Sequence, residues 1–180
     1  KVKLVLPMIA HLILFFFSFS IGTVQASHVN CGQVINVSTA LDLDLTCPGN
    51  GNALTIGANN IILDCNDHTI SGNNTGSIGI FMLSRQNVTI KNCVVQLFRT
   101  NGIYIDNSNN NTLQNININN NSIHGSRGIY INGRYNILRN INANSNYFGL
   151  MLVGSNNNIS SITANNNSVG LYINGLYSST

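Results

Sequence analysis

The sequence predicts an all-β solenoid, a parallel β-helix with coils of about 21–26 residues built from short strands. Three observations lead there. Segments opening on glycine recur at similar spacing. Within each segment apolar residues sit two apart, which is strand spacing with one buried face. Asn, Gly, Ser and β-branched residues fill the units where helical repeats would carry strong helix formers, and the L-x-x-L-x-L-x-x-N frame of leucine-rich repeats is missing.

In chain order, residues 1–26 read as a signal peptide. Lys1 and Lys3 precede an apolar run from Leu4 to Ile21, and a small-residue exit follows with cleavage near Ala26. A retained anchor is the rival reading, because about 18 apolar residues just reach across a bilayer. Pro7, His11 and the exit favour cleavage, after which no integral membrane span is expected. Export permits disulfides among Cys31, Cys47, Cys65 and Cys93. None of these forms a C-x-x-C pair, so a zinc ribbon has no support.

Residues 27–72 read as an N-terminal cap and opening coil. This stretch repeats less exactly and holds Asp42, Asp44, Asp64 and Asp67; an atypical first unit closes the open end of a solenoid. Cys31 and Cys47 flank the cap and would close it with a disulfide. Cys65 falls near the position of Asn92 in the neighbouring coil, so Cys65 and Cys93 come within bonding reach if that register holds.

Residues 73–180 carry the repeats, in units opening at Gly79, Gly102, Gly128, Gly149 and Gly170. They stop partway through a coil at Tyr177–Thr180, as a fragment truncated at its C-terminus would. Ile103 and Ile105 recur as Ile129 and Ile131, then as Leu150 and Leu152, then as Leu171 and Ile173. Phe81, Tyr104, Tyr130, Met151 and Tyr172 lie between such pairs and should point outward. A second strand aligns Ile90, Leu113, Leu138 and Ile159. A third aligns Cys93, Ile116, Ile141 and Ile162. Between the two come Asn92, Asn115, Asn140 and Ser161, at a bend. Asn tolerates the left-handed backbone of such bends, and its amide bonds the Asn one coil away in a ladder. The clusters 109–111, 119–121, 156–158 and 165–167 fall in turns. Disorder is excluded because the apolar positions recur in register.

Composition narrows the function. Charged residues are only 7% of the chain, against a usual share of about 25%. The net charge of +3 reflects scarce acids, with no Glu at all. The basic residues are scattered rather than clustered, so nucleic acid is not an expected partner.

The CG…LDLTCPG…LTI…IILDCNDHTISG opening and the repeated GIYI…N-x-T/I-L-x-N units resemble right-handed parallel β-helix repeat proteins of the NosD-like kind, related to carbohydrate-binding and sugar-hydrolase β-helices. The resemblance covers nearly all of Cys31 to Thr180. It implies a right-handed coil and, among relatives, copper-site maturation proteins, polysaccharide lyases, epimerases and surface proteins. The repeated residues are scaffold residues, so the resemblance fixes fold and not activity.

The chemistry such relatives perform finds few residues here. Glycoside hydrolysis takes two carboxylates flanking the scissile bond; the coils offer Asp64, Asp67 and, about two coils on, Asp106. A lyase would want calcium held by several carboxylates and a base such as Arg127, Arg134 or Lys91, without an acidic cage to match. Copper would need His28, His68, His124, Met82 and Met151, no two of which share a repeat position. No catalytic residue, metal site or cofactor is therefore expected. The row of Phe81, Tyr104, Tyr130 and Tyr172 is the strongest hint, because sugar rings pack on flat aromatic faces; cross-strand pairing alone would also explain it. The expectation is an exported, non-catalytic module, secreted, periplasmic or at the cell surface, with a polysaccharide or envelope component as partner. A lyase or epimerase with its catalytic residues elsewhere, and a NosD-like copper accessory protein, are the alternatives.

Overall fold

The computed structural model describes residues 25–121 and 125–175. Residues 1–24 of the expected signal peptide, His124 and the closing Tyr177–Thr180 lie outside the described residues. β1 (Gln25–Ser27) comes first. An opening coil follows with β2 (Gln33–Ile35), β3 (Thr39–Leu41) and β4 (Leu45–Thr46), then a second with β5 (Asn52–Ile56), β6 (Ile62–Asp64) and β7 (Thr69–Ser71). Four further coils hold two strands each: β8 (Ile78–Leu83) and β9 (Thr89–Gln96), β10 (Asn101–Asp106) and β11 (Thr112–Asn119), β12 (Arg127–Asn132) and β13 (Ile137–Asn144), β14 (Phe148–Val153) and β15 (Asn158–Thr163). β16 (Val169–Asn174) begins another turn. No helix occurs among the described residues.

Two parallel sheets result. One runs β16-β14-β12-β10-β8-β5-β2, and the other runs β1-β3-β6-β9-β11-β13-β15 with β4 and β7 alongside. In the first sheet successive coils are offset by 21–26 residues, the spacing the glycine-led units predicted. β6 pairs with the first half of β9 and β7 with its second half. The second and third strands of the sequence pattern therefore run on as one strand, bent at Asn92, whose φ is 54°. Asn115, Asn140 and Ser161 bend their strands at the same φ.

Register puts like on like. Ile103 lies beside Ile129, Ile129 beside Leu150, and Leu113 between Ile90 and Leu138. These side chains are shut from solvent and form one continuous core, each contributing about 1.5–3 kcal/mol by burial. Phe98 is also fully buried, and glycine is needed opposite it: a Cβ on Gly72, Gly76 or Gly79 would strike its ring. Two disulfides fix the early coils, Cys31–Cys47 and the buried Cys65–Cys93 pair between neighbouring coils.

Candidate functional site

Asparagine builds the corners of the coil, and position within a cluster decides its task. The bend ladder is exposed: Asn115 Nδ2 donates to Asn92 Oδ1 at 2.9 Å, and Asn140 Nδ2 to Asn115 Oδ1 at 3.0 Å. Asn92 in turn donates to Asp64 at 3.0 Å. Two further ladders face inward. Asn111 Oδ1 accepts from the Val88 amide, Asn136 Oδ1 from the Asn111 amide, and Asn157 Oδ1 from the Asn136 amide, at 2.9–3.0 Å. The other inner ladder links the Phe98 amide to Asn121, the Asn121 amide to Asn146 and the Asn146 amide to Asn167. Each inner side chain satisfies a backbone donor at a turn that no strand partner reaches, which buried amides require.

On the outer face of the first sheet the aromatic row forms a stack. Phe81, Tyr104, Tyr130, Met151 and Tyr172 are register partners in succession. The Phe81 and Tyr104 rings lie 5.7 Å apart at 4°, and the Tyr104 and Tyr130 rings 4.9 Å apart at 19°. Side chains repeated in register bring these three rings nearly parallel, like rungs. Both faces of Tyr104 are thus covered by its neighbours, and the Arg127 guanidinium sits 5.1 Å from the Tyr130 ring centre. At Tyr104 the ring edge and hydroxyl, not the faces, reach the outside, whereas Tyr172 at the far end of the row is 41% exposed. Burial, and next the Asp106 charge, push the Tyr104 and Tyr130 phenols above their ordinary range, so they remain donors at neutral pH. Tyr104 donates to Asp106 Oδ2 at 3.3 Å.

Asp106 leads from the stack into the corner. Its Oδ1 accepts from Asn132 Nδ2 at 2.8 Å and from the Asn107 amide at 2.9 Å. Beyond it the corner is hollowed. One depression of about 400 Å³ is lined by Asn107, Asn109, Asn132, Gly133, Arg134 and Gly154. The next, about 280 Å³, is lined by Asn59, Ser84, Arg85, Gln86, Asn107 and Asn109. Asn107 and Asn109 line both, so the two form one groove crossing several coils. Glycine shapes its floor: a Cβ on Gly133 would strike the Ser108 carbonyl, and one on Gly154 the Gly133 carbonyl. The sequence reading missed this groove: it placed Asn109 only as a turn residue and singled out none of Asn59, Asn107 and Asn132. The signal available was Arg85 and Arg134, which interrupt runs of neutral turn residues.

The remaining candidates stand apart. Asp64 belongs to β6, where its carboxylate meets Lys91 Nζ at 2.9 Å. Burial raises its pKa, but hydrogen bonds from Lys91, the Asn66 amide and Asn92 outweigh burial and hold it below the ordinary value. His28 faces Asp42 at 3.6 Å and His68 faces Asp44 at 3.1 Å. Met82 lies in the core, and Met151 Sδ accepts from Arg127 Nε at 3.2 Å. Among the described residues no three His, Cys, Asp or Glu side chains gather in a way that would hold a metal ion. Nor, among them, is any helix long and apolar enough to cross a membrane.

Comparison with protein families places the match on these coils: residues 54–180 fit the family described as right handed beta helix region. The chain belongs to that family. Matching curated proteins and matching solved structures were both sought, and neither search found one. Membership of the right-handed beta helix family accounts for the stacked parallel strands. It also gives their winding a hand.

Proposed function

We propose that this right-handed beta helix is an exported, non-catalytic module that binds carbohydrate chains along its corner groove. The supporting observation is the groove itself: adjoining depressions of about 400 and 280 Å³ that share Asn107 and Asn109, both walled by side-chain amides and the larger one floored by Gly133 and Gly154. An amide offers a donor and an acceptor together, which suits the paired hydroxyls of a sugar. Tyr104, Tyr130 and Asp106 extend that polar rim onto the sheet. A sugar polymer laid across successive coils would meet a similar set of groups every ~4.8 Å. The two disulfides belong to an oxidising compartment, in keeping with export.

Retention of the full chain on a panel of immobilised neutral and charged polysaccharides tests the proposal. At least one should hold it. Asn132→Ala, and Tyr104→Phe, which keeps the ring and removes the hydroxyl, should each weaken that retention. A chain retained by no polysaccharide would discard it.

A further inference from the structure

We infer that the corner groove takes a saccharide chain bearing anionic groups, carboxylate or sulfate, which Arg85 and Arg134 engage. This rests on the saccharide reading of the same groove. Three observations carry it. Arg85 Nε is screened from solvent and has no hydrogen-bond partner among the described residues. Its backbone is meanwhile pinned, the amide donating to Ser108 Oγ at 3.0 Å and the carbonyl accepting from Asn109 at 3.1 Å. A screened guanidinium N–H without an acceptor is costly. No group among the described residues neutralises this guanidinium, and Arg85 itself lines the smaller depression, where an anionic oxygen would meet its charge. Arg134 lies in the neighbouring depression, exposed, its backbone amide held by Asn109 Oδ1 at 2.8 Å. Neither arginine enters an ion pair among the described residues.

Charge is also sorted along the chain. Asp42, Asp44, Asp64 and Asp67 lie in the first two coils, three of them beside His28, His68 and Lys91. From Gly79 onward Asp106 is the sole acid, against Arg85, Lys91, Arg99, Arg127, Arg134 and Arg139. Lys91 is already occupied by Asp64. Gln86 pairs with Asn109, and Arg134 adjoins Asn109. The two groove arginines therefore lie two coils apart, roughly 10 Å at the usual strand spacing, so a chain running along the axis meets a cation at alternate coils. Asp106 borders the groove and opposes an anion, which gives the inference a second sign to test.

Affinity electrophoresis of the full chain in gels containing dextran, carboxymethyl dextran or dextran sulfate isolates the charge, since all three share one backbone. Retardation should be at least about tenfold stronger with a charged dextran than with the neutral one, and should fall as salt rises. The stronger of the two charged arms tells carboxylate from sulfate. Arg85→Gln and Arg134→Gln should each weaken binding roughly tenfold. Asp106→Asn should tighten it about threefold, as loss of one opposing surface charge would. Arg139→Gln, the same charge loss on the other sheet, where the guanidinium bonds Gln114 Oε1 at 2.6 Å, should leave it unchanged. Melting midpoints confirm that each variant is folded. Equal binding of neutral dextran, or an Arg139→Gln loss as large as that of Arg85→Gln, overturns the inference while the saccharide reading stands. No retention by any polysaccharide removes both.

Discussion

Replacing Asn136 by Ala perturbs the inner ladder at its middle. Asn136 is 1% exposed. Its Oδ1 accepts from the Asn111 amide at 3.0 Å and from Asn111 Nδ2 at 3.1 Å, and its Nδ2 donates to the Ser108 carbonyl at 3.1 Å. Alanine strands a buried backbone N–H and deprives a buried carbonyl of this donor. At about 1–3 kcal/mol for each stranded group the loss is about 2–6 kcal/mol. A fold of this kind holds some 5–15 kcal/mol in total, so much of the margin would go. Asn140→Gly is the matched comparison on the exposed ladder. Its lost amide bond is returned to water, and glycine accepts the left-handed backbone without strain, so the cost should stay below about 1 kcal/mol. Urea titration and thermal melting measure both. A loss of about 3 kcal/mol lowers the melting midpoint by about 6–12 °C. If Asn136→Ala proved no more harmful than Asn140→Gly, the inner ladder would not be satisfying the backbone as described.

Other outcomes follow from the same contacts. Gly154 has φ +110° and a Cβ there would meet the Gly133 carbonyl, so Gly154→Ala should destabilise by at least about 2 kcal/mol in urea titration. Asp64 has a folded pKa held below its unfolded value. It therefore lends stability that is complete above about pH 4 and is lost as pH falls through the lower folded value; Asp64→Asn should flatten that acid slope in melting curves. Serine in place of both Cys65 and Cys93 should cost about 2–5 kcal/mol and, since both positions are buried, should lower the melting midpoint more than the same change at Cys31 and Cys47.

The coils were legible because strand period and repeat period are both written in apolar residues. Ile103, Ile129 and Leu150 stand at fixed distances from a glycine, and no other register buries them all; Leu171 keeps the register beside Leu150 but is 43% exposed. The corners were not legible in the same way. Asn109, Asn110 and Asn111 are one letter repeated, yet Asn109 lines the groove, Asn110 is exposed with φ 55°, and Asn111 is 1% exposed in the inner ladder. Turn geometry assigns those environments, and residue type does not report it. The aromatic row was visible as a row, but spacing does not encode ring orientation, and Phe81, Tyr104 and Tyr130 turn face to face. Cys65–Cys93 sat between the two cases: an eight-residue strand bent at Asn92 settles the register that left the pairing open.

Nitrogen-correlated NMR during titration with short sulfated or carboxymethylated dextran oligosaccharides asks most directly where a ligand sits. Binding in the corner groove predicts shifts in the side-chain amides of Asn107, Asn109 and Asn132 and in the Nε–H of Arg85 and Arg134, with the inner-ladder amides of Asn121 and Asn146 unmoved. Shifts confined to the outer face of the other sheet, around Gln114 and Arg139, would contradict it.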